Sequence, residues 1–110
     1  ELYMIKKILF FILFSVSAII YAQETHSLKS LGTHPNPFNF ETKISFVSEK
    51  TQPVILTVKN ILGKTILAKE IKAERGKNSI TFRRNDLKSG MYIYSIQKSE
   101  EVHSKRLVIR

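Results

Sequence analysis

The feature that most constrains the fold of this chain is an alternation of apolar and polar residues, repeated in short segments from residue 43 to residue 109. In the segment PVILTVK, for example, Val54, Leu56 and Val58 fall on one face of a strand. A period of two is the period of a β-strand, and no segment after residue 22 carries the 3.6-residue period of an amphipathic helix. The sequence therefore predicts an all-β protein.

Six segments carry the alternation, separated by turn-forming residues; they are residues 43–48, 53–59, 65–72, 79–83, 91–98 and 102–109. Short strands at this spacing favour one small antiparallel sandwich of six or seven strands over a barrel or a βαβ fold. In the third segment Ile71 breaks the parity set by Ile66 and Ala68, which predicts a bulge near Lys69.

The connections between these segments contain specific turn signals. In NILGK, residues 60–64, the Asn60 side chain is expected to bond its own backbone and Gly63 to adopt a positive φ, which predicts a hairpin. Leu87 in the loop NDLKSG is expected to tuck under the sheet edge. Tyr92 and Tyr94 are predicted to be core residues with satisfied hydroxyls, and not ligand-binding residues.

The first 22 residues read as a cleavable secretory signal peptide. Lys6 and Lys7 give a basic start, residues 8–20 are apolar or small, and cleavage is expected between Ala22 and Gln23. The apolar run is shorter than the roughly 20 residues that span a bilayer, although an uncleaved anchor is the alternative. Residues 1–3 resemble upstream reading frame, and residues 23–33 are predicted to be a flexible leader because their two leucines show no sustained period.

Residues for catalysis or metal binding are scarce. His26, His34 and His103 have no metal-ligand spacing, the sequence contains no cysteine, and no nucleophile or phosphate-binding motif is present. The adjacent pair Glu100 and Glu101 is predicted to lie in a solvated hairpin turn. We therefore expect no enzymatic activity, no cofactor and no metal.

The charge balance is strongly basic, with a formal net charge of +9. Such a charge could favour nucleic acid, anionic lipid or lipopolysaccharide. The lysines, however, fall at outward strand positions such as Lys43 and Lys59, where they also protect sheet edges. Because no exposed aromatic residues interleave with the basic clusters, we expect a general attraction to an anionic bacterial surface, with no nucleic-acid and no small-molecule partner.

The stretch THPNPFNFET, residues 33–42, precedes the first predicted strand. Each proline fixes φ and pushes the residue before it toward extended geometry, so HPNP is expected to be stiff and to make no ladder bonds. Phe38 is then positioned to anchor the end of the sandwich, and Asn39 to form an Asx turn.

Five segments in order resemble one family: HPNPFNFETKISF (34–46), VILTVKNILGKTI (54–66), GKNSITF (76–82), LKSGMYIYSI (87–96) and KRLVI (105–109). Together they resemble the type A C-terminal sorting domain of the type IX, or Por, secretion system of Bacteroidota, over residues 34–110. The resemblance implies an immunoglobulin-like β-sandwich. It also implies Sec-dependent export to the periplasm, recognition by the outer-membrane translocon, and removal by a sortase-like peptidase, with surface attachment to anionic lipopolysaccharide or release.

The resemblance assigns sorting or recognition roles residue by residue. The matching positions are Pro35, Asn36, Pro37, Phe38, Gly63, Gly90, Tyr92, Lys105, Arg106, Leu107, Val108 and Ile109. His34 departs mildly from the pattern, since it stands where a tyrosine is frequent.

A larger departure is the short distance between the predicted signal peptide and the domain. Residues 23–33 are too short for the exported cargo that this domain usually follows. The expected function is a non-catalytic secretion address. Two alternatives stay open: a stand-alone secreted or surface adhesive sandwich, and an orphan or truncated remnant of a larger exported protein.

Overall fold

The computed structural model describes residues 4–6 and 26–110, and residues 26–110 contain seven strands in two antiparallel sheets. The strands are β1 (Leu28–His34), β2 (Glu41–Ser48), β3 (Gln52–Asn60), β4 (Thr65–Ala73), β5 (Gly76–Arg83), β6 (Gly90–Lys98) and β7 (Glu101–Ile109). One sheet has the order β1-β2-β5 and the other β4-β3-β6-β7. The predicted all-β sandwich is confirmed.

The predicted signal peptide, residues 1–22, and its cleavage site lie outside the described residues, apart from residues 4–6. Within the described ranges, no helix is both long enough and apolar enough to cross a membrane.

The hydrophobic core lies between the two sheets, as the alternation predicts. In β2, for instance, Ile44 and Phe46 are buried while Lys43 and Ser45 are exposed. Every strand contributes its inward face. The buried apolar residues are Leu28, Leu31, Phe38, Ile44, Phe46, Val54, Leu56, Val58, Ala73, Phe82, Tyr92, Tyr94, Ile96, Leu107 and Ile109.

The expectation of a flexible leader over residues 23–33 is wrong from Leu28 onward, because strand β1 begins there. Leu28 and Leu31 are 1% and 5% exposed, although residues three apart face opposite sides of a regular strand. A register shift between Lys29 and Gly32, with Ser30 at φ 57°, brings both leucines to the core side. Because the bulge breaks the period-two pattern of apolar residues, the alternation does not predict this strand.

The irregularity in β4 also differs from its prediction. Lys69 pairs regularly with Leu56, so the bulge expected there is wrong. The register shift lies at the hairpin, where Val58 pairs with Leu67 but Lys59 pairs with Thr65. One extra residue near the turn therefore sets the parity of the whole strand, and Leu67 and Ile71 then face the core.

Four predictions about single residues in the connections and in β6 are confirmed. The Asn60 side-chain oxygen accepts hydrogen bonds from the backbone N–H groups of Leu62 and Lys64, at 3.0 and 2.9 Å, and Gly63 has φ 86°. Leu87 packs against the core. The hydroxyl of Tyr92 donates to the carbonyl of Lys88 at 2.8 Å.

The hydroxyl of Tyr94, likewise predicted to be satisfied, accepts a hydrogen bond from the Thr33 hydroxyl at 3.2 Å. Burial raises the pKa of this phenol above its usual value of 10.0, while the Thr33 bond acts in the opposite direction. The side chain is 1% exposed, so both tyrosines belong to the core.

Candidate recognition site

The family-motif residues converge on one end of the sandwich, although they are spread along the chain. Gly90 pairs with Ile109, and Tyr92 pairs with Leu107 on one side and Asn60 on the other. Phe38 forms a bridge with Ile109. We call this region the motif end; it comprises residues 35–40, 60–64, 84–92 and 105–110.

The segment Pro35 to Phe38 lies along the outer edge of β7. The Asn36 side-chain amide donates to the carbonyl of Arg106, and its oxygen accepts from the N–H of Val108, both at 3.0 Å. The N–H of Phe38 donates to the carbonyl of Val108 at 3.0 Å, and the carbonyl of Phe38 accepts from the N–H of Arg110 at 2.9 Å. The expectation of an approach without ladder bonds is therefore wrong.

We call this four-bond arrangement the clip. It forms because a proline supplies no backbone N–H, so the Asn36 side chain takes the place of a peptide group between Pro35 and Pro37. The carbonyl of Pro35 in turn accepts from the buried Thr42 hydroxyl at 2.6 Å. Asn36 therefore joins the last strand to the segment that leads into β2.

Phe38 anchors the clip in the core. Its side chain is 2% exposed and meets the ring of Phe82 edge-on, with centroids 6.1 Å apart and an interplanar angle of 74°. This is the favoured geometry for an aromatic pair. The prediction that Phe38 anchors the end of the sandwich is confirmed.

Arg84 is a structural residue that the sequence patterns do not single out. Its guanidinium donates to the carbonyls of Leu87 and Arg110 and to the Ser89 hydroxyl, the first and last of these bonds being 2.9 Å long. It also donates to the Asn39 carbonyl at 3.4 Å. Arg84 thus ties the β5–β6 loop to the end of β7. The feature of the sequence that could have indicated this role is the loop that follows Arg84, because the backbone carbonyls of such a loop need hydrogen-bond donors.

Glu101 anchors the opposite end of β7, and the expectation that it lies in a solvated turn is wrong. Its carboxylate is 13% exposed and accepts bonds from the N–H groups of Ser27 and Leu28, both at 2.9 Å, and from the Ser27 hydroxyl at 3.0 Å. It also contacts His103 Nε2 at 2.8 Å. Ser27 and Leu28 lie over 70 positions away in sequence, so adjacency to Glu100 gave no signal for them.

The charge state of Glu101 follows from these bonds. Burial opposes its ionisation, but the bonds from His103, Ser27 and Leu28 outweigh burial and lower the pKa of the carboxyl from its usual 4.5 to about 2. Although two histidines lie near Glu101, the described residues contain no group of three or more His, Cys, Asp or Glu that could hold a metal ion. The cluster is a structural latch between the start of β1 and the start of β7.

The motif positions divide into buried and exposed sets. Phe38, Tyr92, Leu107 and Ile109 are buried and Val108 is half-buried. Gly63 and Gly90 have φ values of 86° and 148°, which favour glycine. The exposed motif side chains are those of Pro35, Asn36, Pro37, Lys105 and Arg106.

A comparison with known protein families assigns this chain to a family. A family model described as the secretion system C-terminal sorting domain, the Por secretion tail, matches residues 33–110. The chain belongs to the type IX C-terminal sorting domains. This family of sorting signals is non-catalytic, and membership implies export followed by secretion or cell-surface attachment.

Among solved structures, the sorting domain is similar to part of a β-glucosidase from Erythrobacter marinus, with a TM-score of 0.50 and 9% identity. The likeness covers 76% of this chain and 15% of that chain, so it concerns the fold alone. No curated protein matches the chain in sequence.

Proposed function

We propose that this sorting domain is a secretion address that the outer-membrane translocon of the type IX system recognises at the motif end. The single observation that supports this proposal is the convergence of the motif residues: Phe38, Gly90, Tyr92 and the end of β7 lie at one end of the fold. Sec-dependent export to the periplasm, through the predicted signal peptide, precedes this step. The sandwich belongs to the immunoglobulin-like class.

The clip restricts how the translocon contacts β7. Strand addition needs free N–H and C=O groups along an edge, but those of Val108 are already bonded to Asn36 and Phe38. Only the part of the edge at residues 102–105 is available for such pairing. The exposed side chains of Lys105 and Arg106, beside the clip, are the contact that we assign to the translocon.

The pairing of β1 limits the segment that a sortase-like peptidase could cut. From Leu28 onward the backbone is paired with β2, and Ser27 is held by Glu101. A peptidase needs an extended, unpaired backbone, so we place removal of the domain on the N-terminal side of Ser27. Attachment of a cargo to anionic lipopolysaccharide, or its release, follows that cut.

An export assay tests this function. Residues 26–110 are placed after an exported reporter in a strain with a working type IX system, and the reporter is expected at the cell surface or in the medium. A fusion of residues 34–110 is the matched control, and it should fail because it lacks Leu28 and Leu31 of the core. A reporter that stays periplasmic with residues 26–110, while an authentic sorting domain exports it, would overturn the proposal.

Charge reversal separates recognition from folding. The double variant Lys105→Glu, Arg106→Glu changes two exposed side chains and should abolish export while the melting temperature stays near that of the parent. Lys43→Glu with Lys77→Glu, on the outer face of the other sheet, is the matched control and should be exported. Equal export of both variants would show that the basic end of β7 is not the contact.

A further inference from the structure

The two sides of the sandwich differ in how well they close the core. On one side β1 packs close to β7, and the clip covers the end of β7. On the other side β4 and β5 are the edge strands of their sheets. The half-buried apolar residues that pack on the core in the described chain all lie there, in β4, β5 or the loop that follows; they are Leu67, Ile71, Ile80 and Leu87.

A groove with a cavity volume of about 610 Å³ lies between these two edges, and we call it the seam groove. Its apolar lining comes from Ile66, Leu67, Phe82 and Leu87. This volume is in the range of clefts that bind ligands in other proteins. In the part of the chain that the structure describes, the core is therefore accessible from outside along this side.

The backbone of β4 presents hydrogen-bonding groups to this groove side. The N–H of Asn60 donates to the carbonyl of Lys64 at 3.0 Å, so the backbone groups of β3 that face β4 are those of Val58 and Leu56. Their partners are Leu67 and Lys69. The N–H and C=O groups of Ala68 consequently point away from the sheet.

The same alternation applies to β5. The N–H of Arg84 donates to the carbonyl of Phe40 at 2.9 Å, which continues the β2–β5 ladder by one pair. The backbone groups of Phe82 then face β2, and those of Thr81 and Ser79 face outward. Within residues 26–110 both edges are without a strand partner, and together with the apolar groove between them they form an acceptor for an extended chain.

The charges beside the groove indicate which chain fits. Lys69, Arg83 and Arg84 line it, against Asp86 as the acid of the lining, and Lys72 and Lys77 lie on the same two strands as Glu70. A second copy carries a formal charge of +9 as well, so two such edges repel one another. An acidic partner is favoured by the same electrostatics.

We propose that the seam groove binds an extended segment of another polypeptide, with alternating apolar and acidic side chains, by strand addition to the free edge of β4 or β5. The apolar side chains of the segment replace solvent over Leu67, Phe82 and Leu87. Its carboxylates lie against Lys69 and Arg83. This site shares the loop residues 84–87 with the motif end, but the edges that bind the segment are those of β4 and β5, so the proposal does not depend on the secretion role of the motif end.

The test titrates three synthetic octapeptides into the chain without its predicted signal peptide, residues 23–110, in a calorimeter. The first alternates valine and glutamate, the second alternates valine and lysine, and the third is the first with alternate backbone nitrogens methylated. We expect the first to bind, with amide NMR shifts confined to β4, β5 and the loop after β5. The lysine peptide should bind at least about tenfold more weakly, and N-methylation should abolish binding, since it removes the pairing N–H groups.

Protein variants locate the contact. Lys69→Glu should weaken binding of the valine–glutamate peptide, whereas Lys29→Glu on β1, at the opposite edge of its sheet, should leave the affinity unchanged. Ala68→Pro and Ser79→Pro each remove one outward N–H, and loss of binding in one of them identifies the acceptor edge. A thermal melt of each variant separates a lost contact from a lost fold.

Four outcomes would overturn the proposal. They are equal binding of the N-methylated peptide, which indicates a pocket for side chains or small molecules; NMR shifts at β7 in place of β4 and β5; no binding of the acidic peptide; and a dimer seen by sedimentation that blocks the groove.

Discussion

At the scale of single residues, Asn36 and Glu101 each do with a side chain what a strand normally does with its backbone. Asn36 both donates to and accepts from β7, and Glu101 accepts from the N–H groups of Ser27 and Leu28. Removing either partner leaves polar groups without a bond, which costs more than the net value of the bonds themselves. The two ends of β7 are therefore sensitive to one-atom changes.

Phe38→Ala should destabilise the domain by about 3 to 5 kcal/mol, because it removes a buried ring and its contact with Phe82. Phe40→Ala is the control. Its side chain is 83% exposed, so the change should stay within about 0.5 kcal/mol. Urea unfolding of both variants, followed by far-UV circular dichroism, measures the difference. Similar midpoints for the two variants would show that Phe38 does not anchor the motif end.

Glu101→Gln should remove a stabilising contribution that depends on pH. Because the folded-state pKa of about 2 lies below the usual 4.5, the ionised carboxylate stabilises the fold fully above pH 4.5. This contribution is lost as the pH falls from 4.5 through about 2. The stability difference between the parent and the variant should therefore be large at pH 7 and shrink across that window.

The exposed neighbour supplies the control for this experiment. The stability difference between the parent and Glu100→Gln should not shrink in this way, since Glu100 is exposed in the β6–β7 turn. Thermal melts from pH 7 down to pH 2 measure both differences. A constant difference for Glu101→Gln over that range would contradict the proposed latch.

At the scale of elements, what the sequence predicts and what it misses have separate physical causes. Strands β2, β3 and β6 bury every second residue, so the alternation predicts them. Strand β1 escapes prediction because its bulge changes the parity between Leu28 and Leu31. The clip and the Glu101 latch escape because each joins residues 70 or more positions apart, and local patterns carry no information about such partners.

The β3–β4 hairpin tests the role of local geometry. Gly63→Ala should cost about 1 to 2 kcal/mol, because Gly63 has φ 86° and a Cβ strains that conformation even where space is free. Gly32→Ala is the matched control, since a Cβ there also meets nothing and its φ lies outside the positive range. Guanidinium unfolding of the two variants gives the comparison, and equal stabilities would contradict the assigned turn.

At the scale of the whole molecule, β7 holds both sheets together. It pairs with β6, receives the clip on its outer edge and contributes Leu107 and Ile109 to the core. The same strand is also the one that carries the exposed basic contact proposed for the translocon. Stability and recognition therefore depend on neighbouring residues of one segment.

Deleting residues 106–110 should unfold the domain, because it removes two buried side chains and every partner of the clip. The double variant Lys105→Ser, Arg106→Ser keeps the backbone and should change stability by no more than about 1 kcal/mol. Circular dichroism and NMR dispersion distinguish the two. A folded deletion variant would show that the clip is dispensable, and loss of export on truncation would then report on recognition directly.

The clip also affects when the domain can fold relative to its synthesis and translocation. Asn36 lies 70 positions before the carbonyl that it binds, and Ser27 lies 74 positions before Glu101. Contacts between such distant positions form only after the intervening chain has been made and is free to fold back. A polypeptide that lacks β7 can form neither the clip nor the Glu101 latch, so closure of the sandwich requires that the last strand of the domain is already present.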